Sequence, residues 1–187
     1  MFSLDQKAKL KSVAPSSEFH GDERQAVYYL KFKVFVASDA LIDFHPQLRT
    51  TLFKESDAPD LADQGGDDTL TQLRFPQISS YNFDFESEGY SLHLDYGLGG
   101  RSVVKLDECK VDKFKFTPQN GGTVEVDFRV VCHPEVKDVG KICELIMSET
   151  EIKLIPPEPT TVQELFGEEK PKTPVAAWPF PTEGKAA

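Results

Sequence analysis

Asp95, followed thirteen residues later by Glu108-Cys109-Lys110, is the grouping in this chain closest to a catalytic signature. Two carboxylates can hold a divalent ion that activates water, and a lysine beside them can meet the phosphate under attack. In a strand, period two puts Glu108 and Lys110 on one face, as a metal-dependent nuclease would require. The same acid-x-Lys string recurs at Asp5 to Lys7, Glu135 to Lys137, Glu151 to Lys153 and Glu168 to Lys170, so composition alone produces it readily. A cross-strand charge pair is the competing reading.

Other chemistries find less. His20, His45, His93 and His133 with Cys109, Cys132 and Cys143 include no pair at the usual ligand spacing, so no metal site is expected. No GxSxG marks a nucleophile. Gly97-Leu98-Gly99-Gly100 lacks the Lys-Ser/Thr of a phosphate loop and precedes a strand pattern, which makes it a hairpin turn. No cofactor is expected.

A second constellation is basic and aromatic. Ala26 to Val36 alternates cleanly, placing Tyr29, Lys31, Lys33 and Phe35 on the face opposite Leu30, Phe32, Val34 and Val36. Lys113 and Lys115 share a face while Phe114 and Phe116 take the other, and Arg129 lies opposite Val124, Val126, Phe128 and Val130. If these strands are neighbours, the lysines and Arg129 track a nucleic-acid backbone and Tyr29 and Phe35 offer stacking platforms for a single strand. The plainer alternative is that lysine alternating with aromatics is how a half-solvated strand looks.

The elements that must position these side chains are mostly strands. Beyond residues 26–36, strand patterns run near Leu70 to Phe75, Tyr81 to Glu86, Tyr90 to Tyr96, Ser102 to Glu108, Val111 to Thr117, Thr123 to Val131 and Glu151 to Ile155. Short turns rich in Gly, Asn or Ser separate them. A short helix is expected at Ala40 to Phe44, a turn or helix from Pro46 to Phe53, and a helix from His133-Pro134 through Met147 with Val136, Val139, Cys143 and Ile146 on one face. The fold class is therefore mainly β: an antiparallel meander forming a small, OB-like barrel or a sandwich, with one or two short helices.

Residues 1–155 are read as one such domain, with a flexible start over about 1–22 and an acidic loop over about 55–69, where five aspartates lie between Asp57 and Asp68. Residues 156–187 hold seven of the 13 prolines and read as a flexible tail, whose Trp178 and Phe180 are candidates for docking into a protein partner. The formal net charge is -10; the tail contributes five acids against three lysines, so the body carries -8. A globally acidic domain is poor at nonspecific duplex binding, so any nucleic-acid site needs a local positive face. Three unevenly spaced cysteines suggest reduced, buried thiols. No apolar run approaches membrane-spanning length, and Met1 to Val13 lacks the apolar centre of a secretion signal.

Phe19-His20-Gly21-Asp22-Glu23, the run from Leu92 to Gly100, and the run from Gly121 to Val130 resemble uncharacterised accessory proteins of tailed bacteriophages, which implies work in the cytoplasm of an infected bacterium. The layout of body and arm is similar to single-stranded DNA-binding proteins, although the chain closes on Glu183-Gly184-Lys185-Ala186-Ala187 where their acidic tails close on Phe. The Asp, spacer, Glu-x-Lys order resembles the restriction-type nuclease superfamily. The sequence thus points first to a nonenzymatic phage-type single-stranded DNA-binding or replication and recombination accessory protein. Its rivals are a protein-only binder, such as a host-enzyme inhibitor imitating DNA or a virion assembly factor, and a nuclease using Asp95, Glu108 and Lys110.

Overall fold

The computed structural model describes residues 1–56, 70–97 and 102–158. The chain divides into Met1–Pro157 and Glu158–Ala187, and every element below belongs to the first unit. Most of the acidic loop, and the tail with Trp178 and Phe180, lie outside the described residues.

Nine strands form: β1 (Leu4–His20), β2 (Glu23–Ala37), β3 (Phe53–Lys54), β4 (Gln72–Leu73), β5 (Tyr81–Phe83), β6 (Ser87–Asp95), β7 (Val103–Gln119), β8 (Thr123–Cys132) and β9 (Glu149–Ile155). Six of them close into an antiparallel barrel in the order β7-β6-β9-β1-β2-β8, with β8 pairing back onto β7. Closure leaves none of these six as a long open edge. β5 adds to β7, and β3 and β4 form a separate two-stranded piece.

Inward-facing residues of the barrel strands supply the core. Phe32, Val34, Leu92, Leu94, Phe114, Phe116, Val126 and Phe128 are all buried. Aromatic rings fill one end: Phe114 stacks on Phe128 at 5.6 Å between centroids, and Phe44, just past the 3-10 helix Ser38–Asp43, meets Phe83, Phe85, Phe114 and Phe116.

Two expectations are corrected here. The flexible start is a 17-residue strand, because Phe2, Leu4, Ala8 and Leu10 alternate into the core and Phe2 enters the ring cluster at 4.8 Å from Phe44. The strands expected at 102–108 and 111–117 are one strand, β7. Glu108 and Lys113 sit at φ 53° and 52°, at positions where the ladders to β6 and β8 slip. Each slip is a β-bulge that shifts the inward parity, from Val104 and Leu106, to Cys109 and Val111, to Phe114 and Phe116. A third bulge interrupts β1 between Leu10 and Ser12.

The helices are short: α1 (Leu48–Leu52) and α2 (Val136–Glu144). α2 turns a different face inward from the one its sequence suggests. Ile142 is buried and Leu145 packs on the core, whereas Val136, Cys143 and Ile146 are exposed. Only Cys109 and Cys132 are therefore buried thiols among the three. At the β7–β8 turn Gly122 has φ 74°, a left-handed backbone that strains any residue with a side chain. No helix among the described residues is long and apolar enough to cross a membrane.

Candidate nucleic-acid interface

The outer face of β1-β2-β8-β7 is a grid whose rows follow from strand register. One row runs Lys9, Lys33, Asp127, Lys115 across four strands. The next runs Ser12, Lys31, Arg129, Asp112, and flanking rows carry Phe35, Glu125, Thr117 on one side and Ala14, Tyr29, Val131, Lys110 on the other. Rows lie about 7 Å apart along the strands and neighbouring strands about 4.8 Å apart. The bulge in β1 turns Lys11 onto this face as well, where its Nζ lies 3.1 Å from Asp127 Oδ1.

The barrel thus brings together Lys31, Lys33, Lys113, Lys115 and Arg129, and adds Lys9 and Lys11, which the sequence reading had placed in a flexible start. Alternation of Phe2, Leu4, Ala8 and Leu10 against Lys7, Lys9 and Lys11 was the signal that could have found them. Asn82, on β5, also joins. These seven cations stand among Asp112, Glu125 and Asp127, with Glu149 in register beside Lys9 and Lys110 of the flanking row held by Glu86 and Glu88, on a chain whose net charge is -10.

These cations differ in what already holds them. Arg129 forks onto Asp112, with Nε 2.7 Å from Oδ1 and its second nitrogen on the other oxygen, and its guanidinium lies 4.7 Å above the Tyr29 ring. Asp112 is buried because the Lys113 bulge leaves it beneath that guanidinium. The hydrogen bond to Asp112 raises the Arg129 pKa further. Tyr29 in turn donates its hydroxyl to Glu18 at 3.4 Å, so one ring face and the polar tip are occupied. Lys33 lies 2.5 Å from Glu125, whose hydrogen bond raises the lysine pKa. Lys31, Lys113 and Lys115 are exposed and hold no ion pair among the described residues.

Those three lysines line one groove of about 320 Å³ with Lys11, Asn82 and Arg129, Asp127 being its sole carboxylate. Beside it, a depression of about 300 Å³ is lined by Lys7, Lys9, Lys33 and Phe35. Phe35 is 53 % exposed, the largest unfilled aromatic surface on the grid.

The nuclease grouping is split. Asp95 pairs with Val103, five residues before Glu108 on β7, which separates the carboxylates by roughly 17 Å along the strand. The Asp95 carboxylate accepts from the Gly97 N–H at 3.0 Å and the Ser102 hydroxyl at 3.2 Å, closing the β6–β7 hairpin. Glu108 and Lys110 do share a cleft of about 570 Å³, where Lys110 is held by Glu86 and Glu88. Glu86 raises the Lys110 pKa. Among the described residues, no three His, Cys, Asp or Glu side chains converge as metal ligands would.

Comparison with known proteins adds no family to this geometry: no protein-family model, curated protein or solved structure matches the chain.

Proposed function

We propose that this barrel is a nonenzymatic binder of single-stranded nucleic acid, single-stranded DNA in the setting of phage replication or recombination. The observation that carries the reading is the convergence of unpaired Lys31, Lys113 and Lys115 in one groove on an acidic protein. Lysine without a carboxylate partner gains most from meeting a phosphate, and counterion release from the strand supplies the drive. Phe35, four residues from Lys31 on β2 and so roughly 13 Å away, offers a ring to a base. A duplex keeps its base faces stacked inside, so this ring favours a single strand.

Arg129 and Tyr29 take a positioning role in this reading. Their mutual stacking and the fork onto Asp112 stiffen the floor of the groove, while Lys31, Lys113 and Lys115 make the contacts. The resemblance to tailed-phage accessory proteins supports a host-cytoplasm setting.

Fluorescence anisotropy of a labelled oligothymidylate across a salt series tests this. Three lysines meeting three phosphates give a slope of log K against log salt near -2, at about 0.7 per phosphate. Lys31→Ala/Lys113→Ala/Lys115→Ala should flatten that slope, and Phe35→Ala should weaken binding about 5- to 100-fold at constant slope. Absence of salt-sensitive binding, or binding indifferent to the triple variant, returns the protein to the protein-only class.

A further inference from the structure

Two β8 carboxylates hold lysines of the outer grid. Glu125 and Asp127 lie on the central strand of the grid, with Lys33 drawn to Glu125 at 2.5 Å and Lys11 to Asp127 at 3.1 Å. Asp127 is also flanked in register by Lys33 and Lys115. Both carboxylates are mostly covered, their side chains 16 % and 23 % exposed. Lys9 and Lys33 are direct cross-strand neighbours of like sign, an arrangement that destabilises a sheet unless anions lie close; Glu149 is in register with Lys9 on its other side, and Glu125 holds Lys33.

Resting on the single-strand reading above, we infer that Glu125 and Asp127 act as built-in competitors of phosphate that set the affinity of the face. Without ligand they neutralise Lys33 and Lys11 and relieve repulsion among the seven cations. A strand arriving at the groove exchanges one anion for another at each lysine, so those two lysines add little net affinity. The displaced carboxylates stay beside the backbone and repel it. The result is a face that binds through its three unpaired lysines and releases readily, with a reserve of two cations held back.

The test is the pair of substitutions Glu125→Gln/Asp127→Asn, measured by anisotropy with a labelled oligothymidylate of about 15 nucleotides. Freeing two lysines should tighten binding roughly 2- to 25-fold, the range expected for releasing two ion pairs whose lysines reach solvent. The salt slope should steepen by about 1.4, two phosphates at about 0.7 each. Melting temperature without oligonucleotide should fall as the cations lose their counter-charges. Asp22→Asn/Glu144→Gln, at the β1–β2 turn and the end of α2, changes net charge equally without freeing a lysine and should alter neither affinity nor slope. The single substitutions carry the test if the double variant folds poorly. Wild-type binding with an unaltered slope in Glu125→Gln/Asp127→Asn overturns the competitor role alone, as does an equal gain in the Asp22→Asn/Glu144→Gln control. Failure of the wild-type protein to bind overturns the single-strand reading and this inference with it.

Discussion

Replacing Arg129 by alanine should be among the costliest changes on the barrel's outer face. Asp112 is 6 % exposed, and among the described residues its carboxylate is matched by one side chain, the forked guanidinium. Removing that partner strands a buried charge, which costs about 3–5 kcal/mol in well-buried pairs. The Arg129 side chain is 19 % exposed, so some water reaches the site and the lower end applies. Loss of the contact with Tyr29 adds about 0.5 kcal/mol. A total near 3.5 kcal/mol corresponds to a fall of about 7–14 °C in melting temperature for a unit of this size. Asp112→Ala should cost roughly half as much, because the freed guanidinium keeps its ring and turns to water. Arg129→Ala/Asp112→Ala should then be more stable than Arg129→Ala alone, since the stranded carboxylate is gone. Urea unfolding followed by far-ultraviolet circular dichroism gives all four free energies. A cost below about 0.5 kcal/mol for Arg129→Ala, the range of an ordinary surface change, would refute the reasoning, as would a double variant no more stable than the single.

Phe2→Ala should lower stability by about 3–5 kcal/mol in the same assay, because the ring is buried among Phe44, Phe114 and Phe128. Glu108→Gly should leave the protein as stable or up to about 1 kcal/mol more so, since a φ of 53° strains any side chain and Glu108 is exposed. Alkaline pH should destabilise the barrel. Contact with the Cys109 thiol and burial raise the Cys132 pKa above its ordinary 9.0, and burial raises Tyr90 above 10.0. The unfolded chain ionises first, so stability is full below about pH 9 and declines above it, by up to about 1.4 kcal/mol per pH unit per group. Thermal melts from pH 7 to 10.5 should show that decline, and Cys132→Ala should make it shallower.

The barrel was legible in the sequence where alternation is uninterrupted. β2 from Tyr28 to Val36 and β8 from Thr123 to Val130 carry runs of period two whose inward and outward sets are those the structure uses, whereas Val27 and Val131, outward by that period, are buried and Ala26, inward by it, is exposed. β7 was read as two strands because bulges at Glu108 and Lys113 shift the parity, and a parity change looks like an ending. β1 is hard to read because its apolar alternation stops at Leu10, where a bulge follows, and Ser16 to His20 pair with β2 beyond the point where β8 joins. On α2, the stripes Val136-Val139-Cys143-Ile146 and Asp138-Ile142-Leu145 are both helical, and only packing on the barrel selects the second. Among site residues, period two told which lysines face outward. It could not tell that β1, β2, β8 and β7 are neighbours, which is what makes a patch of them. The Arg129, Asp112 and Tyr29 cluster depends on a bulge that leaves no mark in local composition, so Arg129 read as a free cation.

Bound as proposed, a single strand lies on the outer grid of β1, β2, β8 and β7. Backbone amide shifts of the labelled protein, titrated with an oligothymidylate at low salt, test it most directly. The account predicts changes concentrated at Lys9, Lys31, Lys33, Phe35, Lys113 and Lys115, with α2 from Val136 to Glu144 unmoved. Changes centred on α2 or on the cleft around Glu108 and Lys110, or a spectrum unaltered at saturating oligonucleotide, would contradict it.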